Sequence, residues 1–119
     1  MREVLYDYLD SETTTDEVIR HITETFNLSS DIVACKVENH LSYDHSEHYA
    51  VIPDVNLYEW LNELIESEDC KNGCRIYKDE KTGPYFCISG ANYYDTKTDK
   101  YLGTDEVRVF FKNFEWEKL

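Results

Sequence analysis

Val107-Arg108-Val109-Phe110-Phe111 is apolar at every position but Arg108. A strand with one wet face alternates apolar and polar residues, so a run this continuous predicts a central strand covered on both sides. Working outward, residues 106–114 read as the last strand of an antiparallel meander. Its earlier strands are expected at residues 75–79 and 84–89, with Lys81-Thr82-Gly83 as a turn.

Upstream of residue 70 the hydrophobic period changes from two to 3.6. Leu57, Trp60, Leu61, Leu64 and Ile65 fall at i, i+3, i+4, i+7 and i+8, which predicts an amphipathic helix from an Asp54 N-cap to Glu66. Thr14-Thr15-Asp16-Glu17 is a capping box, with Thr14 as N-cap and Glu17 reaching back to it. The helix it opens runs to Phe26 and buries Val18, Ile19, Ile22 and Phe26 on one stripe. Residues 31–39 read as a strand with Val33, Cys35 and Val37 on one face, and residues 40–48 as a polar loop. Tyr49-Ala50-Val51-Ile52 reads as a short buried strand ended by Pro53, and residues 3–9 as a strand or a short helical turn. The fold class that follows is α+β: two amphipathic helices packed on one mostly antiparallel sheet, in a single domain over residues 1–119.

The chain has 119 residues, of which 41% are hydrophobic and 14% aromatic. That is enough for a core without help from metal or disulfide, and it argues against disorder. No apolar run approaches the ~20 residues that span a bilayer. The N-terminal residues are too acidic for a secretory signal. These features predict a cytoplasmic protein with Cys35, Cys70, Cys74 and Cys87 as thiols, Cys35 and Cys87 among them in the core.

Charge is distributed unevenly. Residues 1–69 hold 17 acids against 3 Lys and Arg, whereas residues 70–119 hold 8 acids and 9 bases. A surplus confined to one part of the chain predicts a directional field that attracts basic surfaces and repels nucleic acid and anionic membrane. Glu59, Glu63 and Glu66 lie at i, i+4 and i+7, opposite the apolar stripe of their helix. Helical neighbours at i and i+4 stand about 6 Å apart along the axis, so such a row is a sparse copy of a phosphate row. Asp7, Asp10, Glu12, Asp16 and Glu17 form a second acidic group, and Asp44, Glu47, Glu66, Glu68 and Asp69 a third. Like charges on one face cost stability unless paired, and few bases here can pair them.

Those features lead to one functional expectation: a non-catalytic acidic inhibitor that occupies the basic surface of a nuclease or bacterial defence effector. Its size and charge are those of phage counter-defence proteins (anti-CRISPR or anti-restriction) and of toxin-immunity proteins. The surface expected to bind is Glu59, Glu63, Glu66, Asp16, Glu17, Glu68 and Asp69, anchored by Tyr58. Ten tyrosines favour an interface, since tyrosine offers large contact area at low entropy cost. The partner expected is a basic nucleic-acid-binding protein, with neither nucleic acid nor membrane bound directly.

The alternative is a module that sequesters a small molecule or nucleotide through Asn92, Tyr93, Tyr94, Arg108 and Lys112. There aromatics would stack on a base and cations meet phosphate. His45 and His48 with Cys70 and Cys74 make the donor inventory of a tetrahedral zinc site. Their x₃ cysteine spacing is loose and the core needs no metal, so no metal and no cofactor are expected. Pro53-Asp54 with Asp79-Glu80-Lys81 imitates a nuclease core, but capping and turn roles explain these residues. The chain carries no phosphate loop, nucleophile elbow, H-E-x-x-H or dinucleotide fingerprint. No enzymatic activity is expected.

Overall fold

A computed structural model describes residues 2–8, 13–28, 32–41, 44–66 and 73–111. In chain order the elements are β1 (Arg2–Asp7), α1 (Thr15–Thr25), β2 (Ile32–Leu41), β3 (Ser46–Asn56), α2 (Leu57–Glu66), β4 (Cys74–Asp79), β5 (Gly83–Tyr94) and β6 (Tyr101–Phe111). The six strands make one sheet in the order β1-β4-β5-β6-β2-β3, antiparallel at every pairing. The fold is α+β, with both helices on one face of that sheet.

β6 is central, between β5 and β2. Its odd positions Val107, Val109 and Phe111 face the helices, where Phe26 and Trp60 meet the Phe111 ring edge-on at 4.7 and 6.3 Å. Phe110 points the other way and is buried with Tyr77, Tyr85 and Cys87 in a second, smaller cluster. That split explains the continuous apolar run. Each fully buried side chain of this size contributes about 1.5–3 kcal/mol.

The α1 stripe is buried as its period requires, and the Thr14 side chain accepts the Glu17 N–H at 3.2 Å. β1 is a strand paired with β4. It is tied to α1 by the Tyr6 ring stacked on His21 at 4.0 Å, and the Tyr8 hydroxyl just beyond the strand meets His21 Nδ1 at 2.9 Å.

Four expectations need correction. The strand at residues 49–52 is neither short nor buried: β3 runs from Ser46 to Asn56 at the sheet edge, with Tyr49 and Val51 exposed. Pro53 does not end it, because an edge strand tolerates proline where no ladder bond is required. Asp54 does not cap α2. It adopts a left-handed φ of 53° at a register shift in β3, and the cap is Asn56, whose Oδ1 accepts the Glu59 N–H at 3.0 Å. The polar loop shrinks, since His40 lies in β2 and His48 in β3. Finally, Cys74 is in a disulfide, whereas Cys35 and Cys87 are free and buried.

Candidate functional site

The acidic residues of the helices are set by local rules. Asp16 and Glu17 stand in the first turn of α1 and Glu59 in the first turn of α2, where the exposed N–H groups favour negative charge. Glu63 and Glu66 follow on the outer face of α2, and neither helix carries a basic residue in its last turn. Glu66 therefore sits where the helix dipole disfavours an acid.

Packing of α1 against α2 then joins the two sets. The Thr15 hydroxyl donates to Glu66 Oε1 at 2.6 Å, and the Tyr58 hydroxyl donates to Asp16 Oδ1 at 3.3 Å. Tyr58, 53% exposed, bridges the helices beside the glutamate row. Together the helices hold six acids (Asp16, Glu17, Glu24, Glu59, Glu63 and Glu66) against Arg20 alone, which approaches Glu17 at 3.9 Å. Six of the eight residues expected at the partner surface are thus brought into one layer; Glu68 and Asp69 lie outside the described residues.

The opposite face of the sheet is balanced. Glu106 accepts from Arg108 at 2.6 Å and from Arg2 at 3.2 Å. Glu38 pairs with Lys36 at 3.0 Å and with His40 at 3.3 Å, and Asp7 with Arg75 at 3.3 Å. Arg2 also lies over the Tyr77 ring at 4.0 Å. Burial would raise the Glu38 and Glu106 carboxyls, but hydrogen bonds and neighbouring cations outweigh it and hold both below the usual carboxylate range. Burial pushes the Cys87 thiol up to about 12 and the Cys35 thiol up to about 11, so neither is a nucleophile near neutral pH.

Among the described residues the other expected sites do not come together. Register places Tyr94 opposite Tyr101 but Arg108 opposite Cys87, seven residues along β6. Seven residues of strand span about 23 Å, too far for one nucleotide pocket built from both. Tyr94 instead meets Tyr101 edge-on at 5.7 Å at the far end of the hairpin. For Asn92 and Tyr93 only the backbone is described, and Lys112 and Cys70 lie outside the described residues. The zinc inventory is dispersed as well. His48 is in edge strand β3, His45 in the turn before it, and Cys74 opens β4, with β5, β6 and β2 lying between β4 and β3. Among the described residues no group of three or more His, Cys, Asp or Glu could hold a metal.

The Arg2–Glu106–Arg108 network escaped sequence reading because it joins residues 104 positions apart. Thr15 was missed for a similar reason: its partner Glu66 lies on another helix. The acidic third group is divided, with Asp44 and Glu47 at the β3 end of the sheet and Glu66 against α1. Comparison with protein families, curated proteins and solved structures finds no match for this chain. No helix is long and apolar enough to cross a membrane among the described residues.

Proposed function

We propose that this protein is a non-catalytic inhibitor whose helical layer covers the basic surface of a nucleic-acid-handling protein. A nuclease or a bacterial defence effector fits that description, as in phage counter-defence or toxin immunity. One observation carries the reading: the Thr15–Glu66 and Tyr58–Asp16 contacts hold the acids of both helices in one layer, while the far face of the sheet is neutralised by its own ion pairs. Such an arrangement directs the field outward from the helices. A basic cleft meeting it would release the counterions it otherwise holds, so binding weakens steeply as salt rises. Tyr58 supplies the aromatic contact beside the row. The reading places the protein in the host cytoplasm, a reducing compartment in which the Cys74 disulfide would open.

The test is affinity capture from a bacterial lysate cleared of nucleic acid, run with the native chain and with Glu59→Gln/Glu63→Gln/Glu66→Gln. The expected result is a nucleic-acid-binding protein retained by the native chain, released by duplex DNA and lost with the triple variant. Equal retention by both chains would move the binding surface elsewhere. Retention that duplex DNA cannot reverse would end the mimicry reading.

A further inference from the structure

We propose that the outer edge of β3, from Ser46 to Ile52, docks an extended basic segment of a partner protein as a seventh strand of the sheet. β3 is last in the strand order, so among the described residues no strand borders its outer side. The other edge, β1, is six residues long with a bulge between Val4 and Tyr6, whereas β3 is eleven. Proteins blunt free edges with proline, bulges and charge. In β3 the proline and the bulge gather at one end, where Pro53 and Asp54 fall at the register shift opposite Val33 and Cys35. From Ser46 to Ile52 the register with β2 is unbroken. The start of this stretch is also fixed, because Asp44 Oδ1 accepts the Ser46 N–H at 2.9 Å and the Ser46 hydroxyl as well. An added strand would meet an edge that is already ordered, which lowers the entropy cost of docking.

The side chains specify the occupant. Tyr49 and Val51, two residues apart on one side of the sheet, are 74% and 55% exposed. They would cover aliphatic positions of an adjacent strand. Residues 44–56 contain Asp44, Glu47 and Asp54 and no lysine or arginine. Beside Glu47, on the same side as Tyr49, lies a hollow of about 320 Å³ lined by residues including His40, Ser46, Thr104, Glu106 and Arg108. Arg108, the guanidinium in that lining, is already held by Glu106. The hollow leaves room for a side chain from outside, and the acids along the edge, with no lysine or arginine among residues 44–56, favour a basic one. A second copy of this chain would bring a net charge of −13 to the same edge and be repelled.

The probe is an end-blocked heptapeptide alternating lysine and valine, with a copy N-methylated at alternate residues. The readout is residue-resolved amide exchange in the full-length protein. Peptide should slow exchange across Ser46–Ile52, and Tyr49→Lys/Val51→Lys should weaken its affinity by about tenfold or more, since both side chains are exposed where the added strand would lie. The N-methylated copy tests main-chain pairing without altering the protein. Equal binding of that copy overturns the proposal, as does absence of binding or protection that maps to α1 and α2. Protection that appears without peptide and grows with protein concentration assigns the edge to a second copy and also overturns it. Glu59→Gln/Glu63→Gln/Glu66→Gln should leave the β3 protection in place, so failure here is distinguishable from failure of the helical-layer reading.

Discussion

Glu106 shows how the face away from the helices holds its charge. Burial alone would raise its carboxyl; the Arg108 hydrogen bond and the charges of Arg108 and Arg2 outweigh that and keep it depressed. An acid whose folded pKa lies below its unfolded value stabilises the fold above the unfolded value, about 4.3 for glutamate. That contribution is lost as pH falls through the lower, folded value. Glu106→Gln should therefore destabilise the protein at pH 7 by about 1.5–3 kcal/mol, the range for a hydrogen bond to a charged group. The deficit should begin to shrink below about pH 4, near the unfolded value, and go on shrinking as pH falls through the lower folded value, where the native carboxyl becomes neutral as well. Urea unfolding of both chains between pH 7 and pH 3 measures the difference. A deficit that stays constant across this range would mean that packing, not charge, is what the substitution disturbs.

Between elements, the decisive local signals are the helix caps. Asn56→Ala removes the acceptor of the Glu59 N–H and should cost about 1 kcal/mol, the usual loss at an N-cap. Asp54→Gly should cost nothing or stabilise slightly, since glycine adopts the left-handed conformation that Asp54 holds at φ 53° without a Cβ penalty. Thermal unfolding of the two variants separates the roles; a larger loss at Asp54 would restore it as the cap. Asp54 resembles a cap in sequence because it stands three residues before the helix, but its conformation is set by the register of β3 on β2. Helix period and the Thr14 cap are written within a few residues of one another, so both helices could be read directly. The place of β6 was legible too, because Phe110 and Phe111 needed cover on opposite faces. The extent of β3 was not, since Tyr49 to Ile52 looks like a buried strand until β2 leaves it outermost. Arg108 and Tyr94 looked like neighbours until the β5–β6 register set Tyr94 opposite Tyr101 and Arg108 opposite Cys87. At the helical layer the spacing of Glu59, Glu63 and Glu66 was visible, but its union with Asp16 depends on the α1–α2 contact. What could be read was local in sequence, and what could not was set by strand order.

Across the whole molecule, the two sides of the sheet respond to salt in opposite senses. Ion pairs on the face away from the helices stabilise the fold and weaken as salt screens them, while the helical acids repel one another and are relieved. A net charge of −13 makes repulsion the larger effect, so the midpoint of thermal unfolding should rise between about 20 mM and about 0.3 M sodium chloride. Glu59, Glu63 and Glu66 contribute two like-charge neighbour pairs, at i, i+4 and i, i+3, worth together about half a kcal/mol at low salt. Glu59→Gln/Glu63→Gln/Glu66→Gln should accordingly melt a few degrees above the native chain at low salt and converge with it at high salt. Scanning calorimetry across the salt series provides the comparison. A stabilised triple variant that no longer binds a basic partner would mean that these acids cost the fold stability and serve recognition. A triple variant that melts lower at every salt concentration would instead make the row part of the scaffold, with the Thr15–Glu66 contact the first place to look for the loss.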